Sequence, residues 1–340
     1  MLNNLNILLL STLTMSTLIS ISSSSWFSAW MGLEINLMSF IPLISNYKNS
    51  TSNESTMKYF LIQTIASVML LFSSTLNSII YNWSNNWITM FFNMIMMISL
   101  LLKTGAAPLH NWFIDMIEGL TWLNSFLILT WQKFAPLFFL FYCKTFNFLL
   151  ILFILSSALT GSIGGLKQIS LKKILAYSSI NHLSWILTSM TLSKNLFILY
   201  LSFYSILNLS IIISLFLMNI SFINQTFQIF KQKFLSKLIM FLPLLSLGGL
   251  PPFLGFIPKW MVINQLFSQS NIILCIFLMM FSLITLYFYL QSMYASTLLI
   301  NNYESMNLWN FNLKQKTITF FPSLISILSF FIFPTCQLSI

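Results

Sequence analysis

Four ionisable side chains lie inside long apolar stretches of this sequence, where a charge is hard to accommodate. They are Glu34, Lys103, Lys133 and Lys259. A charge at the centre of a membrane helix costs about 2.5–3.5 kcal/mol, so the four groups must face one another, water or a partner subunit. Desolvation disfavours the charged forms of lysine and glutamate, so such groups can accept and release protons near neutral pH. The residue types therefore indicate proton relay rather than bond-making catalysis.

Two histidines extend this set. His110 follows the segment GAAPL, and His182 lies in the apolar run SSINHLSWIL. Histidine titrates near physiological pH and suits a relay between lysines. An interior histidine satisfied by ordinary hydrogen bonds fits both positions equally well.

The lysines also have a simpler interpretation. Lys103 and Lys259 could extend their ammonium groups to a membrane interface if their helices are shorter than the apolar runs suggest. Lys133 and Glu34 lie deep within their apolar runs, so their charged groups are less able to reach an interface. These two positions are therefore the strongest indication of function.

The composition places all of these residues in membrane-spanning helices. The chain has 340 residues, of which 57% are hydrophobic and 6% are charged, against about 25% charged in soluble domains. A soluble enzyme and a disordered chain are thereby excluded. The apolar runs suit helices of about 20 residues and are too long for barrel strands. We predict an all-α polytopic membrane protein with about eleven transmembrane helices. They lie near 2–21, 26–44, 57–80, 88–118 (interrupted), 121–142, 147–165, 172–192, 195–218, 235–268 (interrupted), 271–299 and 317–338.

The remaining lysines predict the orientation of these helices. Ten lie in loops that follow even-numbered helices and two in loops that follow odd-numbered helices. The positive-inside rule then puts the amino terminus on the positive face and, with eleven spans, the carboxyl terminus opposite. The ten are Lys48, Lys58, Lys167, Lys172, Lys173, Lys231, Lys233, Lys237, Lys314 and Lys316, and the two are Lys144 and Lys194.

Two of the predicted helices are interrupted by glycine and proline, near 103–111 and near 248–259. Proline removes a donor and glycine tolerates unusual dihedrals, so together they end a helix inside the membrane. Each break falls in the fourth helix of a group of five. This predicts two inverted five-helix repeats at 1–142 and 143–300, followed by a loop and a C-terminal transmembrane helix at 301–340. Two ordinary proline kinks are the alternative.

No motif for a bound cofactor, a metal or nucleic acid is present. The cysteines Cys143, Cys275 and Cys336 are too far apart for a metal or iron–sulfur site, and there is no Rossmann or P-loop glycine pattern. The net charge of +10 comes from lysines between apolar blocks, which predicts control of topology rather than nucleic-acid binding. Any redox cofactor must therefore belong to a partner.

Five segments resemble the chain 2 family of mitochondrial NADH–ubiquinone oxidoreductases, one of the antiporter-like membrane subunits of respiratory complex I. They are SWFSAWMGLEINLMSFIPL, LLLKTGAAPLHNWFIDMIEGLTW, TWQKFAPL, LKKILAYSSINHLSW and LSLGGLPPFLGFIPKW. The likeness runs in the same order over residues 26–300. Animal members resemble bacterial relatives lacking three amino-terminal helices, which leaves eleven. The resemblance implies the mitochondrial inner membrane, with the amino terminus in the matrix and the carboxyl terminus facing the intermembrane space.

The resemblance also implies roles for the buried charges. Glu34 matches the family's membrane glutamate, which is thought to pair with Lys103. Lys133 matches the central lysine of the proton path, and Lys259 matches the terminal lysine beyond the second break. Electron transfer in distant subunits would alter the field at the first pair, so that Lys133 passes its proton towards Lys259 and out on the side opposite the matrix.

The histidines match two further family positions. His182 matches a polar position on the axis between the two lysines of the path, and His110 matches a histidine beside the first break. Together with the four charges, they form the predicted proton relay.

The implied function is that of a core membrane subunit which translocates protons. It is an enzyme only as part of the proton-translocating NADH:ubiquinone reductase and carries no redox centre, so that FMN, iron–sulfur clusters and ubiquinone belong to partner subunits. Its implied partners are lipids and other membrane-arm subunits, including neighbouring antiporter-like and small membrane subunits, and no nucleic acid. The alternatives are a standalone cation/proton antiporter and a structural membrane spacer without proton chemistry.

Overall fold

Helices account for nearly all of the described structure. The computed structural model describes residues 4–45, 49–80, 86–143, 147–229 and 234–298. Fourteen helices lie in these residues. They are α1 (Asn4–Ser22), α2 (Trp26–Ile44), α3 (Ser50–Ile80), α4 (Asn86–Thr104), α5 (Asn111–Gly119), α6 (Trp122–Leu129), α7 (Trp131–Tyr142), α8 (Asn147–Gly165), α9 (Leu171–Leu192), α10 (Lys194–Met218), α11 (Ile223–Ile229), α12 (Phe234–Gly248), α13 (Phe256–Ser268) and α14 (Ile272–Leu298).

The helices confirm the predicted class of an all-α polytopic membrane protein. Eight helical segments of the described residues are long and apolar enough to cross a membrane. Each of them coincides with a stretch that the apolar runs predicted. The C-terminal helix predicted at 317–338 and the segment 301–340 that contains it lie outside the described residues.

The helices differ from the prediction in three places. Helix α3 begins at Ser50 rather than near 57, and its first turns carry an ion pair of 2.8 Å between Glu54 and Lys58. Pairs spaced by four residues lie on one helix face, so this polar stretch continues the helix instead of forming a loop. The predicted helix 121–142 is two helices, α6 and α7, and the short helix α11 falls where a loop was expected.

The division between α6 and α7 is a local distortion at Thr130. Its dihedrals are φ −119° and ψ −70°. Both its N–H and its hydroxyl donate to the carbonyl oxygen of Phe126, at 3.0 and 2.7 Å. A threonine that bonds the carbonyl four residues earlier bends a helix, and this bend precedes Lys133 by three residues.

The two predicted helix breaks are present and share one backbone conformation. Helix α4 is followed by Gly105 with φ 73°, and α12 is followed by Gly249 with φ 84°. The left-handed region favours glycine because it has no Cβ. After each glycine, the next residue's carbonyl accepts a hydrogen bond of 2.9 Å from the N–H three residues further on. The glycines therefore end two helices in the same way, although the flanking residues differ.

The chain forms two compact units, Met1–Phe153 and Ile154–Ile340, with the boundary inside α8. In the first unit, α2 packs against α1 and α3, and α3 packs against α4 and α5. In the second unit, α9 packs against α10, α13 and α14. Because 17 of its 22 residues are buried, α9 is the central helix of that unit.

Helix α8 lies close to the backbone of α9 at Gly161. A Cβ atom built on this residue would lie 2.5 Å from the backbone nitrogen of Asn181. Small residues allow helix backbones to approach in membrane proteins. Gly161 therefore fixes how closely α9 packs against its neighbour.

We expect Gly161→Ala to destabilise the second unit by about 1–3 kcal/mol, because the added methyl group meets backbone atoms that cannot rotate away. The thermal aggregation temperature of the detergent-solubilised protein measures this. Gly248→Ala is the matched control, since a Cβ there meets nothing closer than 3.5 Å. Equal aggregation temperatures for the two variants would contradict the packing described here.

Candidate functional site

The three lysines singled out in the sequence are buried by protein. Their exposed fractions are 7% for Lys103, 3% for Lys133 and 5% for Lys259. A lysine that snorkels keeps its ammonium group in water. The observed burial therefore favours interior charges, two in the first unit and one in the second.

Lys103 lies in the last turn of α4, next to the first break. A helix end leaves its last carbonyl groups without partners inside the helix. The side-chain amide of Gln63, on α3, donates to the carbonyl oxygen of Lys103 at 3.3 Å. The neighbouring helix thus supplies one of the polar contacts that the break requires.

Lys133 lies on α7 between the distortion at Thr130 and Pro136, which has no N–H. Its backbone N–H donates to the carbonyl of Thr130 at 3.1 Å. Its Nζ atom lies 4.8 Å from the ring centroid of Phe113, a distance typical of cation–π contacts. Phe113 in turn packs against Gly105, where a Cβ would lie 3.2 Å away, so the first break supports the ring that faces Lys133.

A small cavity lies between these two lysines. It has about 20 Å³ of space for water centres, and about 10–15 Å³ suffices for one water molecule. The cavity therefore has room for a water that could bridge the polar groups around it. Its polar lining residues are Asn36, Tyr59, Gln63, Lys103, Thr104, Gln132 and Lys133.

Two amide side chains pair at the edge of this cavity. Asn36 Nδ2 donates to Gln132 Oε1 at 2.9 Å, and Gln132 Nε2 donates to Asn36 Oδ1 at 3.1 Å. The hydroxyl of Tyr59 donates to the same Gln132 oxygen at 3.5 Å. Helices α2, α3 and α7 therefore meet through polar groups at this point.

Glu34 is half-buried on α2. Its carboxylate acts electrostatically on Lys103 and on Tyr59. In the described part of the chain, the side-chain ion pair within 4.0 Å is that of Glu54 and Lys58. Glu34 and Lys103 are therefore electrostatic neighbours without a direct salt bridge, and their pairing stays a prediction.

Lys259 lies on α13, directly after the second break. Its Nζ atom donates to the carbonyl oxygen of Gly248 at 2.9 Å and lies 6.0 Å from the ring centroid of Trp185. A cation is favourable at the carboxyl end of a helix, where unpaired carbonyl groups concentrate negative charge. The ammonium group of Lys259 thus caps the carboxyl end of α12, although Lys259 itself lies on the helix after the break.

His182 lies on the central helix α9 and is 4% exposed. Its Nδ1 atom lies 3.0 Å from the hydroxyl oxygen of Tyr200. Tyr200, Tyr204 and Asn208 are spaced by four residues and form one face of α10. The Tyr204 ring lies 5.3 Å from the His182 ring, and its hydroxyl lies beside Ser179 and Asn208. The second unit therefore has a continuous polar face next to its histidine.

His110 has a different setting from the other predicted residues. It is half-buried at the start of α5, and its Nδ1 atom lies 3.1 Å from the carbonyl oxygen of Pro108. It is not among the residues that line the cavity. All four of these residues of the first unit are thus placed: Lys103 and Lys133 line the cavity, and Glu34 and His110 do not.

The site consists of two polar clusters, one lining the cavity between Lys103 and Lys133 and one around His182. The sequence analysis did not identify their uncharged members. These are Asn36, Gln63, Gln132, Tyr200 and Tyr204. The feature of the sequence that could have identified them is a large polar side chain within an apolar run, such as Gln132, which immediately precedes Lys133. Their partners were beyond reach, because the paired amides are 96 residues apart in the sequence.

The clusters suit the holding and passing of protons. Each contains a protonatable nitrogen surrounded by hydroxyl and amide groups that can donate and accept hydrogen bonds. Across the described ranges, no three His, Cys, Asp or Glu side chains meet in a way that could hold a metal ion.

Comparison with known proteins gives one consistent relationship. Residues 23–285 match the model of the NADH:quinone oxidoreductase/Mrp antiporter transmembrane family. The NADH-ubiquinone oxidoreductase chain 2 of Anopheles gambiae is 45% identical, over 95% of this chain and 95% of its own length. That of Locusta migratoria is 40% identical, over 96% and 94%. A chain of respiratory complex I from Thermus thermophilus is similar in fold, with a TM-score of 0.80 at 19% identity, covering 95% of this chain and 77% of that one.

We expect Gly249→Ala to destabilise the second break by about 1–2 kcal/mol, because a non-glycine residue must adopt a left-handed conformation there. The added Cβ would also lie 3.0 Å from Lys259 Nζ and would displace the ammonium group from Gly248. Thermal unfolding compared with Gly248→Ala, whose φ is not positive, measures the effect. No difference between these neighbouring variants would contradict the described geometry.

Proposed function

We propose that this chain, which belongs to the family of the NADH-ubiquinone oxidoreductase chain 2 proteins, moves protons through the buried lysines of its two units and His182. The resemblance found in the sequence is confirmed by relatives 45% and 40% identical over nearly the whole chain. The chain is a proton-translocating membrane subunit of NADH:ubiquinone oxidoreductase. It contributes to the enzyme as a subunit of that complex.

The observation that carries the relay is the burial of three lysines within a multi-pass membrane protein. Each is at least 93% buried, and each ammonium group at membrane depth costs about 2.5–3.5 kcal/mol. Around them, Lys259 Nζ donates to the carbonyl oxygen of Gly248, and the Nζ atoms of Lys133 and Lys259 lie near the rings of Phe113 and Trp185. A protonatable group held inside the protein at such a cost suits the gain and loss of a proton.

We propose that the first unit responds to the change of electric field that electron transfer in other subunits produces. Glu34 acts electrostatically on Lys103, and the cavity between Lys103 and Lys133 has room for a water. A change of field at Glu34 and Lys103 would then change the tendency of Lys133 to hold its proton. Lys133 is the proposed carrier because it is the most buried of the three lysines.

The second unit is proposed to receive and release the proton. His182 can donate or accept at each ring nitrogen, and its contact with Tyr200 orients the ring. Lys259, held at the carbonyl of Gly248, is the proposed last site before release on the side opposite the matrix. The setting of His110 beside its own loop supports a minor role or none in this relay.

The wider assembly follows from the family. We propose that FMN, iron–sulfur clusters and ubiquinone are held by partner subunits, and that this chain contacts lipids and neighbouring antiporter-like and small membrane subunits. The proposed location is the mitochondrial inner membrane. Eleven spans in two inverted repeats, with the amino terminus in the matrix, remain the proposed topology, and the shared backbone of the two breaks supports the repeat.

Two other functions remain distinguishable by experiment. The family model also covers Mrp antiporters, and a standalone cation/proton antiporter would purify without flavin or iron–sulfur partners. A structural spacer would purify with them but take no part in pumping. The match to chain 2 relatives over nearly the whole of both chains favours the respiratory subunit.

We expect Lys133→Met, in a complex shown to be fully assembled, to abolish most of the proton pumping that this subunit supports. Methionine keeps the length of the side chain and cannot carry a proton. Pumping per NADH oxidised, measured in proteoliposomes, tests this. Lys194→Met is the matched control, because Lys194 is exposed at the start of α10. Normal pumping in the Lys133 variant would favour the spacer.

The proposed orientation predicts which lysines a membrane-impermeant amine reagent reaches. Lys167 is exposed between α8 and α9, and Lys194 is exposed at the start of α10, at the other end of α9. We expect labelling of Lys194 in mitochondria stripped of their outer membrane and of Lys167 in inverted vesicles. Peptide mass spectrometry identifies the sites, and the reverse pattern would exclude this orientation.

A further inference from the structure

The paired amides of Asn36 and Gln132 have no role in the relay described so far. They carry no charge and do not titrate, yet each donates to the other, at 2.9 and 3.1 Å, with Asn36 buried and Gln132 half-buried. Two parallel hydrogen bonds fix an orientation as well as a distance. Leaving a buried amide without a partner costs about 1–3 kcal/mol, so the pair strongly favours one arrangement of α2 against α7.

The helix that carries Lys133 needs such a constraint. Thr130 distorts its start, and Pro136 lacks the N–H that would bond to the carbonyl of Gln132. One backbone hydrogen bond is therefore missing from the first turns of α7. Side-chain contacts then help to set the rotation of this part of α7 about its axis.

The amide pair and the lysine are linked through this rotation. Gln132 and Lys133 are consecutive residues and point about 100° apart on a helix. Gln132 contacts Asn36 on α2 and Tyr59 on α3, whereas Lys133 Nζ lies over Phe113 of α5. When Gln132 is held, the direction of Lys133 is held with it.

We propose that the Asn36–Gln132 pair is a positioning element that keeps the Lys133 ammonium group over Phe113 and beside the cavity. This inference rests on the proposed relay, for which Lys133 is the carrier. It assigns the neutral pair to the geometry of proton transfer rather than to transfer itself.

The test replaces both amides together. Asn36→Leu with Gln132→Leu removes both partners of the pair together, which is nearly neutral for stability, and it takes from Tyr59 its 3.5 Å contact with Gln132. We expect the assembled complex to lose most of its proton pumping per NADH and to shift the pH profile of pumping, because Lys133 leaves its fixed position. A merely structural pair would lower the amount of complex but leave the profile of the assembled fraction unchanged.

The exchange of the two amides is the rescue. Asn36→Gln with Gln132→Asn keeps both amide groups and their combined length, so the two hydrogen bonds can form again. We expect pumping and its pH profile to return towards those of the unmodified complex. If the leucine pair does not assemble, Gln132→Met takes its place, since it keeps the chain length and removes both bonds.

A second amide contact in the same unit provides the control. Asn77 Nδ2 donates to Asn93 Oδ1 at 2.8 Å between α3 and α4, and neither residue lines the cavity. Asn77→Leu with Asn93→Leu should leave the pH profile unchanged. The proposal is overturned if the leucine pair at 36 and 132 pumps normally, or if the exchanged pair assembles and does not recover. Loss of pumping in Lys133→Met alongside either result would leave the relay standing and reject only the positioning role.

Discussion

The satisfaction of backbone groups at two helix ends inside an apolar helix bundle is the constraint on which this structure depends. A helix that stops there leaves carbonyl oxygens that lipid cannot solvate. At one break, Gln63 donates to the carbonyl of Lys103, and at the other, Lys259 donates to the carbonyl of Gly248. Polar side chains are thus required where the helices stop. At the second break, the group that satisfies the backbone is itself protonatable, because it is the ammonium group of Lys259.

The central helix of the second unit shows how a buried helix can be polar and stable. Many of its hydroxyl groups donate to carbonyl oxygens of their own helix, as Ser184 does to Asn181 at 2.6 Å and Ser189 to Ile186 at 2.7 Å. These serines are therefore satisfied without a partner helix. His182 instead reaches Tyr200 on α10, which makes it a point where the polar interior of one helix connects to another.

Much of the fold followed from the sequence because one physical quantity dominates it. The transfer of apolar side chains into lipid sets the position of each long helix, and glycine with proline sets the breaks. The distortion at Thr130 was not predicted, since a threonine can continue a helix or bend it depending on where its hydroxyl bonds. The start of α3 at Ser50 was not predicted, because Glu54 and Lys58 are residue types typical of loops and their pairing along the helix is visible only in the structure.

The sequence by itself determined which residues are chemically costly at their positions. Glu34 and the three buried lysines stand out because they lie within long apolar runs, and no structure is needed to see that they must be compensated. Only the tertiary structure decided what compensates them. Hydrogen bonds between amides 96 residues apart, a ring beneath an ammonium group and a carbonyl at a helix end are contacts between distant segments. They depend on how helices pack, and apolar composition constrains packing far less than it constrains the helices themselves.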